Sequence, residues 1–308
     1  MSDTPTDQAT GLDAIAGPDG TFAIVAMDQR NTLRRMLTAA ERPTDAQTIG
    51  AFKVDVTEML SPAASGLLLD PDFGVPAVRE AGAMASGCGM LIAAEPPERT
   101  SWQGEPRAGL EGGRTAAEVR EMGGDAVKLL VQMRPDRPHR AGEPDLVAEV
   151  VDVVRTVVQD CAAVGIPSVI ETLLYALPDE EKLTPRRRAE LITESARILS
   201  EVGPDLLKLE YPSDAAGCRA VGEAVTVPWA MLSAGMDFEP FLEAIGHACD
   251  EGGASGFIAG RVYWKEAVAL DGEERRAFLS GVARSRLERS LEAMSGHARP
   301  WSEAAAAR

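Results

Sequence analysis

The sequence predicts an α/β fold, a single (β/α)8 barrel with an extra C-terminal helix, and three features carry that prediction. Eight short apolar runs recur along the chain, each ending in polar residues or glycine. Segments with helical spacing, or connections long enough to hold a helix, follow them. Near-continuous apolar runs of this length are what strands buried on both faces look like, and their alternation with helices gives a parallel sheet. A doubly wound sheet would show a G-x-G-x-x-G turn after its first strand, and none is present there.

The strands are expected at 21–28, 66–70, 89–95, 126–133, 167–175, 206–211, 228–235 and 256–261. A helix over 45–60 follows the first, ended by Ser61-Pro62. A short helix at 114–122 precedes the fourth strand, and 145–164 carries Leu146, Val150, Val154 and Val157 along one side. The helix over 184–202 starts with Thr184 as N-cap and Pro185 in its first turn, and Gly203-Pro204 stops it. Asp237 is read as the N-cap of a helix over 237–252, and 273–294 as the terminal helix. Residues 1–20 read as a flexible arm with one helical turn at 11–16, residues 21–298 as the barrel domain, and 299–308 as a tail.

Composition bounds the function. The chain has 308 residues, enough for one barrel with a large core, and 45% apolar with 5% aromatic content makes that core mostly aliphatic. A formal charge of −17 disfavours nucleic acid and anionic lipid as partners, so no nucleic-acid or membrane binding is expected. Cys88, Cys161, Cys218 and Cys249 form no C-x-x-C pair, which suits a reducing cytoplasm. The first 20 residues lack the apolar segment of a secretory signal, and no stretch approaches the ~18 apolar residues of a membrane span. A cytoplasmic homo-oligomer is expected.

The informative anomaly is charge inside apolar strands. Only five of the 31 basic residues are lysines. Lys182 reads as a loop residue, Lys265 as an outer one, and Lys53 as a helical residue snorkelling or pairing with Glu58. Lys128 and Lys208 lie in the middle of strands four and six, in A-V-K-L-L-V and L-L-K-L-E-Y, and Glu171 lies in strand five, in S-V-I-E-T-L-L. A buried ammonium costs several kcal/mol unless it is paired or neutral. Neighbouring barrel strands bring these three groups toward one cavity. An amine must be uncharged to attack a carbonyl, and burial together with a second cation favours that form. Lys128 is expected to supply the cation, Lys208 the nucleophile and Glu171 the proton transfers. The same set is also consistent with a buried ion pair that only closes the barrel.

Ser233, Ala234 and Gly235 end strand seven, and Gly260 and Arg261 end strand eight, where barrels often bind phosphate through backbone amides and small residues. Tight turns would account for the same glycines. Asp28 and Gln29, at the end of strand one, face the barrel mouth, where Asp28 could equally cap the next helix. The long segment 96–113, with Arg99, Trp102, Gln103 and Arg107, is read as a lid or a holder of a distal anion. His139, His247 and His297 show no metal-ligand spacing, so neither metal nor cofactor is expected.

Taken in order, A-M-D-Q-R (26–30), F-K-V and L-S-P (52–62), L-L-L-D (67–70), K-L-L-V (128–131), I-E (170–171), K-L-E-Y-P (208–212), P-W-A-M-L-S-A-G (228–235) and G-A-S-G-F-I-A-G-R-V-Y-W (253–264) resemble the class I tagatose-1,6-bisphosphate aldolase family, and within it the sulfofructosephosphate aldolases. The resemblance implies a TIM barrel in which Lys208 forms the Schiff base, Glu171 is the acid/base and Lys128 shares the pocket. It also implies that Asp28 and Gln29 touch the substrate, and that Ser233, Gly235 and Arg261 hold a phosphate or sulfonate. The substrate would be a phosphorylated ketohexose cleaved to dihydroxyacetone phosphate and an aldehyde. Thr172-Leu173-Leu174 stands where the sulfofructose enzymes read Pro-Val-Val, and S-A-G matches the tagatose enzymes. A non-catalytic sugar-phosphate sensor on the same barrel is the alternative.

Overall fold

A computed structural model describes residues 11–112, 114–178 and 180–306. Among them, eight parallel strands close into a barrel in which each strand pairs with its neighbours in sequence and the eighth pairs with the first. They are β1 (Phe22–Met27), β2 (Gly66–Leu69), β3 (Gly89–Ala93), β4 (Ala126–Met133), β5 (Ser168–Leu174), β6 (Leu206–Glu210), β7 (Trp229–Leu232) and β8 (Gly256–Ala259). Each lies inside or at the bounds of its predicted run. The principal outer helices are α1 (Asn31–Ala39), α2 (Ala46–Leu60), α3 (Gly74–Ala81), α4 (Ala116–Glu121), α5 (Leu146–Val164), α6 (Pro185–Ser200), α7 (Ala215–Ala224) and α8 (Phe238–Asp250), and one short turn, α9 (Arg261–Trp264), follows β8. None of the described helices is long and apolar enough to cross a membrane.

Alternation along the strands splits the core in two. Leu207, Leu209, Val127, Leu129 and Ile170 face out and pack under the helices. Phe22, Ile24, Ala26, Leu68, Ala93, Ala126, Val169, Leu206, Ala230 and Ile258 face in and fill the lower barrel. Two residues beyond several of these inward positions, on the same strand face, the side chains turn charged: Asp28, Asp70, Glu95, Lys128, Glu171 and Lys208. The barrel is therefore greasy below and ionic above.

Helix ends follow the predicted capping chemistry in part. Thr184 caps α6 through the Arg187 amide with Pro185 in the first turn, and Thr115 forms a capping box with Glu118. Asp237 occupies the N-cap position of α8 without capping it, because its carboxylate accepts from Lys265 at 2.7 Å instead. The predicted terminal helix is α10 (Gly272–Phe278), a π-helical stretch at Leu279–Ala283 and α11 (Arg284–Met294).

Both chain ends depart from expectation. Residues 1–10 of the expected arm lie outside the described residues, but 11–20 are packed rather than loose. A 3-10 turn at Gly11–Ala14 sets Leu12 and Ile15, both buried, under the inward-facing core. A Cβ on Gly89 would lie 2.0 Å from the Ala14 carbonyl oxygen, so only glycine lets this plug approach β3. The expected tail holds a helix, α12 (Trp301–Ala306), anchored where the Trp301 amide donates to the Gly20 carbonyl and its indole N–H to Asp13. Apolar surface on Leu12, Ile15 and Trp301 drives this packing, and the surrounding polar residues masked it in the sequence.

Candidate active site

The ionic layer gathers at the C-terminal end of the strands, where barrel enzymes carry their chemistry. In the β5–β6 register Glu171 stands directly opposite Lys208. Their side chains meet, with Lys208 Nζ donating to Glu171 Oε2 at 2.9 Å. The same carboxylate oxygen lies 2.9 Å from Lys128 Nζ. Both lysines are buried, Lys208 with 3% and Lys128 with 1% of its surface exposed.

Lys128 is bound on two further sides. It donates to Asp28 Oδ2 and to Glu95 Oε1, each at 2.7 Å, and Glu95 Oε2 in turn accepts the Leu130 amide at 3.0 Å. Burial opposes the Lys128 charge, but Asp28, Glu171 and Glu95 outweigh it and hold the ammonium well above the usual lysine range. Burial likewise opposes ionisation of Glu171 and Asp28, yet Lys128 and Lys208 keep both carboxyls below their ordinary values. Lys128 stands beside Lys208 as the expected second cation, and it is also part of a buried ion cluster, its charge balanced by Asp28, Glu95 and Glu171.

Above this cluster opens a cavity of about 220 Å³ lined by Gln29, Glu171, Lys208, Ser233, Gly260 and Arg261, among others. Six predicted site residues thus share one space. Asp28 and Lys128 lie at its base through the ion pairs just described. Gly235 lies beside Arg261: a Cβ there would come within 3.2 Å of the guanidinium carbon, and its φ of 82° suits glycine. Gly260 is required for closure of the barrel, since a Cβ on it would sit 2.0 Å from the Ala26 carbonyl oxygen. One Asp28 carboxylate oxygen and the Gln29 side-chain oxygen are buried without a hydrogen-bond donor among the described residues. Two acceptors are left for ligand hydroxyls, while Arg261 offers a guanidinium to an anion.

Three residues of the site escaped sequence reasoning. Glu95 follows β3 just as Asp28 follows β1, a polar residue at the mouth end of an apolar run. Glu210 stands two residues beyond Lys208 on the same strand face and lines the cavity, accepting the Leu174 amide at 2.8 Å and pairing with Arg188. Burial pushes its carboxyl up, against the pull of the Leu174 amide and Arg188. Lys53, expected to snorkel or to pair with an acid such as Glu58, is wholly buried against Asp70, and burial pushes its ammonium down against the attraction of Asp70. Glu58 pairs with Arg276 instead.

In the segment 96–112, read as a lid or a holder of a distal anion, Arg99 and Arg107 are engaged by protein partners. The segment folds back as a small hairpin, Ser101–Trp102 with Glu105–Pro106. Arg107 is engaged by Glu149 at 2.6 Å, Arg99 donates to Gln132, and Glu105 accepts from Arg137 and the Tyr175 hydroxyl, both at 2.9 Å. The hairpin is thereby tied to the loops after β4 and β5.

A family model described as DeoC/LacD family aldolase matches residues 22–266. The tagatose 1,6-diphosphate aldolase of Listeria monocytogenes is 28% identical, over 86% of this chain and 83% of its own. Tagatose 1,6-diphosphate aldolase 2 of Enterococcus faecalis is 26% identical, over 94% of each chain. Among solved structures, a Schiff-base-forming fructose-1,6-bisphosphate aldolase superposes with a TM-score of 0.61 at 19% identity, over 89% of this chain and 96% of its own. A fructose-bisphosphate aldolase from Plasmodium falciparum superposes with a TM-score of 0.66 at 12% identity, over 94% of each. At those identities the structural likeness speaks to the fold, whereas the family match spans the barrel from β1 to the helix after β8. The chain belongs to the DeoC/LacD aldolase family.

Proposed function

We propose that this aldolase cleaves a phosphorylated ketohexose through a Schiff base on Lys208, giving dihydroxyacetone phosphate and a three-carbon aldehyde. The observation that carries the reading is the contact of Lys208 Nζ with Glu171 Oε2 at 2.9 Å, inside a cavity that also holds Arg261. Lys208 attacks the C2 ketone as the neutral amine. Glu171 takes the proton of the Lys208 ammonium bonded to it, which frees the amine, and returns that proton to the carbinolamine hydroxyl, which leaves as water and restores the carboxylate. The resulting iminium draws the electrons of the C3–C4 bond as that bond breaks, while Glu171 takes the proton of the C4 hydroxyl. Lys128 stays charged throughout and keeps Glu171 ionised for that step. Arg261 with Ser233, Gly235 and Gly260 takes the phosphate at C1, and the unpaired acceptors on Asp28 and Gln29 take sugar hydroxyls.

The names of the relatives favour tagatose 1,6-bisphosphate, and the resemblance of the motifs adds 6-deoxy-6-sulfofructose 1-phosphate and fructose 1,6-bisphosphate. An aldol-cleavage assay comparing the three assigns the sugar. The four cysteines are buried and unpaired, which supports placing the enzyme in a reducing cytoplasm. The chemistry is tested by borohydride reduction in the presence of dihydroxyacetone phosphate. The expected result is one reduced adduct mapped to Lys208 and loss of both adduct and cleavage in Lys208→Met. Lys208→Arg should fail equally, since a guanidinium cannot be deprotonated in a protein. Cleavage persisting in Lys208→Met would overturn the assignment, and ligand-induced thermal stabilisation without turnover would favour the sensor alternative.

A further inference from the structure

Lys53 reaches the site from α2, which packs outside the barrel. Its side chain is wholly buried and donates to the carbonyls of Met27 at 2.6 Å and Gln29 at 3.0 Å, the two peptide oxygens on either side of Asp28's own. Its counter-ion Asp70, equally buried, accepts the amides of Asp72, Phe73 and Gly74 at 3.1, 2.8 and 3.1 Å. Asp72 then pairs with Arg30 at 2.8 Å, and Arg30 donates to the Glu95 carbonyl at 2.6 Å. One continuous network therefore holds the backbone at Asp28 and at Glu95, which supply two of the three carboxylates on Lys128. The space around it is closed: a Cβ on Gly74 would lie 2.9 Å from Asp70 Oδ2 and 3.3 Å from Lys53 Cδ.

We propose that the buried Lys53–Asp70 pair is a positioning device for the reaction, clamping the Met27–Gln29 backbone so that Asp28 and Gln29 present their unpaired oxygens to the substrate. A buried ion pair is a costly way to gain stability alone, because two charges are taken out of water where apolar residues would pack as well. Its two carbonyl partners explain the cost: a cationic donor on a fixed helix holds the chain at the last β1–β2 ladder pair, Met27 with Leu69, and just beyond it at Gln29. Lys53 touches no substrate atom, and its influence runs through the main chain.

The inference rests on the Schiff-base reading, and its test separates the two. Lys53→Met with Asp70→Asn removes both charges together and keeps an acceptor for the Phe73 amide. Active sites are counted by borohydride trapping of dihydroxyacetone phosphate at Lys208, and kcat and KM for tagatose 1,6-bisphosphate cleavage are expressed per trapped site. The expected result is near-stoichiometric trapping, KM within a few-fold, and kcat per trapped site lower by about 10- to 100-fold, as for misplaced catalytic groups. A merely structural pair would lower trapping and kcat in step, so an unchanged kcat per trapped site overturns the proposal. If the double variant does not fold, Gly74→Ala, which keeps both charges and presses on Asp70, is measured in the same way and judged by the same criterion. Absence of any trapped adduct in the unaltered enzyme would overturn the Schiff-base reading instead.

Discussion

Replacing Lys128 by methionine keeps most of the side chain, one atom shorter, and removes one charge from the ionic layer. Three carboxylates, from Asp28, Glu95 and Glu171, then face Lys208 alone. Each lost hydrogen bond between charged groups is worth about 1.5–3 kcal/mol. Relief of the burial cost of the ammonium offsets part of that sum, and removal of one partner from a buried ion cluster costs about 3–5 kcal/mol net. The loss must depend on pH, and its sign follows from the ionisation shifts. In the intact protein Asp28 and Glu171 are held below their ordinary pKa values, so their contribution is present at neutral pH and is lost only as pH falls through those depressed values. Without Lys128, burial dominates and raises the carboxyls above their unfolded values. Such groups favour the folded state when protonated and oppose it as pH rises through the unfolded carboxyl range. The gap between the two proteins is therefore widest near pH 8 and narrows toward pH 5. Urea unfolding of both proteins at the two pH values measures it, with the variant's midpoint about 1 M lower at pH 8 for a slope near 3 kcal/mol/M. An equal loss at both pH values, or one below about 1 kcal/mol at pH 8, would refute the idea that Lys128 keeps Asp28 and Glu171 ionised.

Glu171→Gln should lower kcat by about 100- to 10,000-fold, as loss of a general acid/base does, with stopped-flow turnover as the measure and folding intact by circular dichroism. Arg261→Ala should raise KM for the phosphorylated ketose by about 10- to 100-fold, the worth of one charge-assisted contact, and a steady-state titration reads it. Gly260→Ala would drive a methyl into the Ala26 carbonyl and should lower the melting temperature by several degrees, about 2–4 °C for each kcal/mol in a protein of this size.

The barrel was legible because its strands are buried on both faces, and Lys128, Glu171 and Lys208 stood out as charges within otherwise apolar runs. Gln29, Ser233, Gly260 and Arg261 were legible as polar or small residues at strand ends, and all four line the cavity. What stayed hidden depended on side-chain reach. Lys53 sits in an ordinary amphipathic helix, and nothing in its spacing tells that its ammonium turns inward to Asp70 rather than outward to Glu58. Glu95 and Glu210 read as strand-terminal acids like many others until the register set them against Lys128 and behind Lys208. Arg107 carried the reverse error, a basic residue in a long loop that finds its partner on α5 and not in the cavity. The floor of the barrel was missed because Leu12, Ile15 and Trp301 are isolated apolar residues in polar company.

That floor has a kinetic consequence. The plug from Gly11–Ala14 and the apolar layer above it fill the N-terminal end of the barrel, so among the described residues the cavity does not run through it. For the chemistry proposed, the three-carbon half stays covalently on Lys208 when the C3–C4 bond breaks while the aldehyde is held only by non-covalent contacts, so the products cannot depart in either order. The aldehyde must diffuse out first, leaving the three-carbon enamine on the lysine. Product-inhibition patterns should then be those of an ordered uni-bi reaction, with dihydroxyacetone phosphate competing against substrate for the empty enzyme.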